Sequence, residues 1–338
     1  MAVTVFEEGL RRWAEEKNRR FAVSGLDVLE TVRRKLEKRR DDGQIDTDFF
    51  QENLGEISRR GDFGVDKPES LIVVSAPRPA HMISIKIGER DVDVVIPPTY
   101  YRYRAFFDEI LEELKGVLGE ATGIAVLKVP LKSLSAHLGL TLYGRNNVTY
   151  VPGFGSYHQL CGYVVGGEAG RWLREALGSP AAQAGEGSLE RCATCRACVK
   201  ACPTGAVRAD RFLISADKCY TLFSEKSGPI QKKTRLPKSA CLFGCLECQV
   251  VCPENLGRPR LESTGISFTA DETEALLDVG ERMGRGEVMS RQSLESGTPA
   301  GVDPGSWRSV ADKFARLQMT EGLDLCPRNL YLFFGPGR

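Results

Sequence analysis

Cys192-Ala-Thr-Cys195-Arg-Ala-Cys198-Val-Lys-Ala-Cys202-Pro203 opens a stretch that closes with Cys245-Leu-Glu-Cys248-Gln-Val-Val-Cys252-Pro253. Two residues between neighbouring cysteines let their sulfurs converge on adjacent corners of one small metal cube. Proline after the last cysteine keeps a helix from carrying that thiolate away. The form C-x2-C-x2-C-x3-C-P is the ligand run of a 4Fe–4S centre. Cys219 and Cys241 lie between the two runs. A zinc ribbon would also use paired C-x2-C knuckles, but two C-x3-C-P endings in one stretch point to clusters.

In bacterial-type ferredoxins the fourth cysteine of each run reaches across to the other cluster. By that logic Cys192, Cys195, Cys198 and Cys252 hold one 4Fe–4S cluster, and Cys202, Cys219, Cys245 and Cys248 the other. Spacing alone leaves Cys241 a rival of Cys219. Cys161 and Cys326 have no cluster spacing and read as small buried apolar residues.

The chain has 338 residues, enough for more than one domain with a well-buried core. Its 46 basic and 45 acidic residues nearly cancel, so no bulk field announces nucleic acid, DNA included, or a membrane. Eleven cysteines might suggest a disulfide scaffold, but so long a chain needs no such staples, and most of the cysteines stand in cluster spacing. A reducing compartment is expected. The opening Met1-Ala-Val-Thr-Val-Phe-Glu-Glu lacks a secretory core. With no twin-arginine leader and no apolar run of membrane length, the expectation is a cytoplasmic protein.

Apolar periodicity predicts helices over 3–17 and 26–40. The second carries Arg33, Arg34, Lys35, Lys38, Arg39 and Arg40, a docking patch for RNA or an acidic partner or, as the interleaved Glu30 and Glu37 favour, a solvated face. Leu71–Ser75 reads as a buried strand, and 82–87 with 92–96 as a hairpin around Gly88-Glu89. A helix follows over 103–118, stopped by Gly119. Next come a strand over 123–129, a short helix over 131–138, a glycine-punctuated segment over 139–147 and a strand through Val165. Gly166-Gly167-Glu-Ala-Gly170 lacks the spacing of a dinucleotide loop. Pro180–Ser188 is the linker candidate, Phe212–Ser215 a short strand, and 271–283 and 306–318 helices. The apolar 330–334 should pack back onto the body.

Three segments, Cys192 to Ala206, Cys219 with Glu225 and Gly228-Pro229-Ile230, and Gly244 to Asn255, resemble the epoxyqueuosine reductase family. Pro130, Gly139-Leu140, Gly144-Arg145-Asn146 and Gly155-Ser156 resemble its corrinoid-domain signature more weakly, and Arg328-Asn329 its C-terminal Arg-Asn. The resemblance favours Cys219 over Cys241 as a ligand. It implies an α+β fold: an N-terminal helical segment (1–69), a corrinoid-binding-like α+β domain (70–185), a double-cluster ferredoxin-like domain (186–257) and a helical tail (258–338). It further implies two 4Fe–4S clusters, cobalamin, a low-potential donor of ferredoxin or flavodoxin type, and a small-molecule or tRNA-borne substrate. Gly139, Gly144, Arg145, Asn146, Gly155 and Ser156 become the corrinoid candidates.

The departures are equally specific. The family's catalytic aspartate precedes the proline matched by Pro130, yet no acidic residue occurs from Ala121 to Arg145. Its Asp-Tyr-His triplet and a tryptophan of its glycine stretch are missing, and its helical-repeat extension is reduced to the tail. Any proton donor must therefore lie elsewhere, with Tyr143, Tyr157 and His158 as the catalytic candidates. The rival reading is an electron-transfer or corrinoid-reactivating protein without substrate chemistry of its own.

Overall fold

A computed structural model describes residues 2–54, 63–120, 122–178, 187–229, 235–257, 261–319 and 322–335. In chain order the elements are α1 (Ala2–Glu16), β1 (Arg20–Gly25), α2 (Val28–Asp41), α3 (Thr47–Asn53), β2 (Pro68–Pro77), β3 (Ala80–Ile87) and β4 (Arg90–Ile96). Then follow α4 (Tyr103–Leu118), β5 (Ile124–Val126), α5 (Leu131–His137), β6 (Leu142–Tyr143), β7 (Thr149–Tyr150), β8 (His158–Gly166) and α6 (Gly167–Leu177). The last are α7 (Ala197–Ala201), α8 (Tyr220–Glu225), α9 (Glu247–Val250), β9 (Leu261–Phe268), α10 (Ala270–Gly284), α11 (Arg291–Ser296), α12 (Pro304–Leu317) and α13 (Cys326–Phe334). No helix among the described residues is long and apolar enough to cross a membrane.

Two compact units emerge, each drawn from separated stretches. The first comprises Met1–Arg78, Phe106–Arg196 and Arg208–Asp217; the second comprises Pro79–Ala105, Ala197–Val207 and Lys218–Arg338.

The first unit is built on a sheet of order β1-β2-β8-β5, antiparallel throughout. Strand β2 is buried on both faces, as its β-branched run Leu71–Val74 requires. Val28, Leu29, Val32 and Leu36 recur at helical spacing on α2 and bury against Leu71, Val73 and Val164. Each such side chain contributes about 1.5–3 kcal/mol when fully buried. The polar face of α2 answers its own charges: Arg33 bonds Glu30 and Glu37, Arg34 bonds Glu30, and Lys38 bonds Asp42. Hydrogen bonds from Arg33 and Arg34 pull the Glu30 carboxyl down to about 2.

The second unit is built on a sheet of order β4-β3-β9. The hairpin expected around Gly88 is β3–β4, in register from His81↔Ile96 to Ile87↔Arg90. Strand β9 then joins β3 in parallel. Its core gathers Ile83, Ile85, Val94 and Ile96 with Leu276, Val279, Trp307 and Leu330. The terminal apolar run packs back as α13, against α10, with Leu330 and Leu332 buried. The two helices cross so closely that a Cβ on Gly280 would sit 2.1 Å from the Pro327 carbonyl oxygen, which glycine alone permits.

Several expectations need amendment. Phe212–Ser215 forms bends rather than a strand. The carbonyls of Ala209 and Arg211, just before that segment, go to a side chain, Arg145, instead of to a ladder. The strand over 123–129 contracts to β5. Strands β1 and β9 and helix α3 went unread, and the tail begins with a strand rather than a helix. The linker candidate lies, except for Gly187 and Ser188, outside the described residues.

Candidate iron–sulfur site

All eight cysteines in cluster spacing are partly exposed, whereas Cys161, Cys241 and Cys326 are buried. That division fits ligands that must present sulfur to a bound group, set beside cysteines that only fill the core. Cys192 sits in a short turn over Glu190–Ala193, and Cys198 lies in α7. Cys202 follows α7 directly, and Pro203 ends that helix. Burial pushes the Cys202 thiol up, but donors from the Val207, Thr204 and Ala206 backbone and the Thr204 hydroxyl outweigh it and lower the thiol overall. A sulfur ringed by donors is suited to staying a thiolate.

Cys219 is the N-cap of α8. Burial pushes the Cys245 thiol up to about 12, the Glu247 backbone N–H opposes this, and the thiols of Cys241 and Cys219 add to the rise. Cys241 itself is 1 % exposed. The residues flanking it pair with β4: Val95 N–H donates to the Ala240 carbonyl and Leu242 N–H to the Val95 carbonyl. Burial pushes its thiol up to about 12 too. Of the two rivals, Cys219 has the more accessible sulfur. Among the described residues, no three His, Cys, Asp or Glu side chains form a single-ion site.

The glycine-marked segment is a small hairpin of β6 and β7. Gly144 lies where a Cβ would meet the Tyr150 ring at 2.5 Å. Tyr143 N–H donates to the Gly187 carbonyl and Leu189 N–H to the Tyr143 carbonyl, so the chain leading to Cys192 is laced onto β6. Arg145, only 4 % exposed, completes this link. Its Nε and Nη2 donate to the Cys192 carbonyl, its Nη1 donates to those of Ala209 and Arg211, and it lies 4.4 Å from the centre of the Phe212 ring. Asn146 donates to the Tyr150 hydroxyl and accepts from Val148 N–H. Sequence reasoning missed this bracing role, because a buried arginine bonded to distant carbonyls leaves no periodic or spacing signal.

Arg145→Met should therefore remove charge-assisted bonds to the part-buried carbonyls of Cys192, Ala209 and Arg211 and destabilise the protein by about 2 kcal/mol. Denaturant unfolding of the two proteins, monitored by circular dichroism, measures this. A loss below about 0.5 kcal/mol would mean the bonds are incidental.

The other candidates are placed as follows. Gly139 and Gly155 hold φ values of 72° and 64°. Ser156 is buried. The half-buried Tyr143 hydroxyl lies 3.2 Å from the Ser133 hydroxyl. Tyr157 is 4 % exposed, and its carbonyl accepts from Arg78 N–H. His158 is equally buried, with Nδ1 3.0 Å from the Ser75 hydroxyl and Nε2 3.0 Å from the Thr149 carbonyl. Burial lowers its pKa to about 4, a hydrogen bond to Thr149 opposing, so the ring is neutral at pH 7 and Nε2–H donates to Thr149.

That depression has a thermodynamic consequence. The unfolded histidine takes up a proton near pH 6.5 and the folded one only near 4, so stability falls as pH drops between them. The full loss is on the order of 3 kcal/mol. Wild type and His158→Asn, unfolded in denaturant at pH 7 and pH 5, should differ in slope, with the variant the less pH-sensitive. Equal slopes would place the histidine in a more solvated setting.

A family model for a 4Fe–4S double cluster binding domain matches residues 191–255. The epoxyqueuosine reductase of Staphylococcus aureus is 29 % identical over 128 residues, covering 37 % of this chain and 30 % of that protein. The Shewanella oneidensis enzyme is 33 % identical over 101 residues, covering 26 % and 25 %. These matches span less than a third of each relative. Solved structures extend the likeness in shape. An epoxyqueuosine reductase crystallised with a tRNA-Tyr epoxyqueuosine-modified stem loop matches with a TM-score of 0.62 at 18 % identity, over 98 % of this chain and 81 % of that one. The Streptococcus thermophilus enzyme matches with a TM-score of 0.57 at 17 % identity, over 96 % and 80 %. The chain thus carries a 4Fe–4S double cluster binding domain, on a fold it shares with the epoxyqueuosine reductases.

Proposed function

We propose that the protein is an iron–sulfur oxidoreductase. Two 4Fe–4S clusters pass electrons from a low-potential donor of ferredoxin or flavodoxin type to a corrinoid, for reduction of a small or tRNA-borne substrate. The observation carrying the electron-transfer part is the set of eight half-buried cysteines in exchanged spacing within the matched domain. Cys192, Cys195, Cys198 and Cys252 are assigned to one cluster; Cys202, Cys219, Cys245 and Cys248 are assigned to the other.

For the corrinoid the fit rests on the first unit. Gly139 and Gly155, with left-handed backbone, offer close backbone approach to a broad, flat group, whereas Gly144 makes room for the Tyr150 ring. Arg145 and Asn146 spend their side chains inside the protein, so their part is to hold the hairpin. The sequence has no D-x-H-x-x-G loop, so no histidine is expected to replace a corrinoid's lower ligand. When bound, a corrinoid supplies the electron-rich cobalt that attacks or reduces a carbon centre, while the protein orients the substrate and handles its proton. Tyr143 is the favoured proton donor, because Tyr157 and His158 are buried more deeply.

The absence of acidic residues over 121–145 favours a second reading, an electron carrier or corrinoid-reactivating protein. Titration with cob(II)alamin, followed by electron paramagnetic resonance, separates the two. A changed cobalt spectrum at micromolar protein supports the corrinoid enzyme. An unchanged one favours the carrier.

A further inference from the structure

Arg328 and Asn329, on α13, are 2 % and 0 % exposed. The Arg328 guanidinium donates through Nη1 to the carbonyls of Lys226 and Gly228 and through Nη2 to those of Phe223 and Ser224 and to the Asn329 amide oxygen. Asn329 Nδ2 donates at 3.0 Å to both the Ser224 and the Leu242 carbonyls. Ser224 in turn accepts at its hydroxyl from Gly244 N–H, 2.8 Å away. Two segments are thereby tied together at one buried knot. One is α8, which Cys219 caps; the other is the turn that leads into Cys245.

Among the described residues, no carboxylate answers the charge in this knot. Each of the five oxygens that the Arg328 guanidinium bonds belongs to a neutral amide. A buried cation without a counter-ion is costly, and a cluster with four thiolate ligands is an anion. We propose that Arg328 and Asn329 position the Cys219 and Cys245 segments, and that the Arg328 charge raises the reduction potential of the cluster held there. This rests on the ligand assignment proposed above. Both are positioning residues, acting through the ligand segments.

Anaerobic redox titration with electron paramagnetic resonance, alongside iron release to a chelator, tests it. Arg328→Gln should lower the potential of one cluster and leave the other in place; a tenfold change in its reduced-to-oxidised ratio is about 59 mV for one electron. Arg328→Lys keeps the charge and should restore most of the shift. Asn329→Asp keeps the shape but sets a carboxylate against two carbonyls. It should speed release of about half the iron by roughly ten- to a hundredfold.

Unchanged potentials in both Arg328 variants, or equal shifts in both clusters, would overturn the electrostatic claim. Release of all the iron at one common rate from Asn329→Asp, or at the wild-type rate, would overturn the positional one. Cys219→Ser is the control. If it does not lose one cluster of two, the ligand assignment falls, and this proposal with it. If it does while the α13 variants stay silent, only the proposal falls.

Discussion

Anaerobically reconstituted protein is expected to bind about eight irons, and Cys219→Ser about half of that. The reason is geometric. A 4Fe–4S cube needs a thiolate at each corner, and serine at one corner weakens or opens it. Cys219 stands at the N-cap of α8, beside Cys245, with its sulfur partly exposed. Cys241 is sealed in the core next to β4, so Cys241→Ser should leave both clusters and cost only some stability. Iron analysis and the spectrum of the dithionite-reduced protein read both variants. Loss of a cluster in the Cys241 variant with retention in the Cys219 variant would reverse the assignment. Saturation of the wild type at about four irons would remove one cluster altogether.

The second large effect concerns Tyr143. With no acidic residue in the sequence from Ala121 to Arg145, epoxyqueuosine-containing tRNA should be a poor substrate, and efficient turnover by the purified protein would refute that directly. On a substrate that is turned over, Tyr143→Phe should slow the reaction on the order of a hundredfold if the phenol is the general acid. The Ser133 hydroxyl within reach of it could relay a proton to it, so Ser133→Ala should give a smaller loss in the same direction. An unaltered rate in Tyr143→Phe, with the cofactor still bound, would pass the role to water or to another group.

The cluster segment was legible because ligand spacing is a local code: a sulfur must fall at a fixed offset along the chain, whatever the rest of the fold does. Helices α1, α2, α4, α10 and α12 were legible through their apolar stripes. Strand β9 was not, because only Ile266 and Phe268 of it are buried; the remainder looks polar, and its partner β3 is remote in sequence. The glycine hairpin was read as a cofactor cradle, whereas the side chains of Arg145 and Asn146 turn inward and brace it. Nothing in single residues distinguishes an arginine that reaches outward from one that binds distant carbonyls. Only the packed chain does.

The parallel pairing of β3 with β9 has a consequence for how the protein is made. The Thr264 hydroxyl donates to the Met82 carbonyl across 182 residues of chain. At ribosomal speeds of about 5–20 residues per second, the β3–β4 hairpin therefore emerges roughly 10–40 seconds before the strand that flanks it. Throughout that interval one edge of β3 has no neighbour, and the apolar side chains of Ile83, Ile85, Val94 and Ile96 await α10 and α12. The nascent chain is thus most vulnerable to aggregation in this window, and early chaperone capture of the hairpin would protect the yield of folded protein.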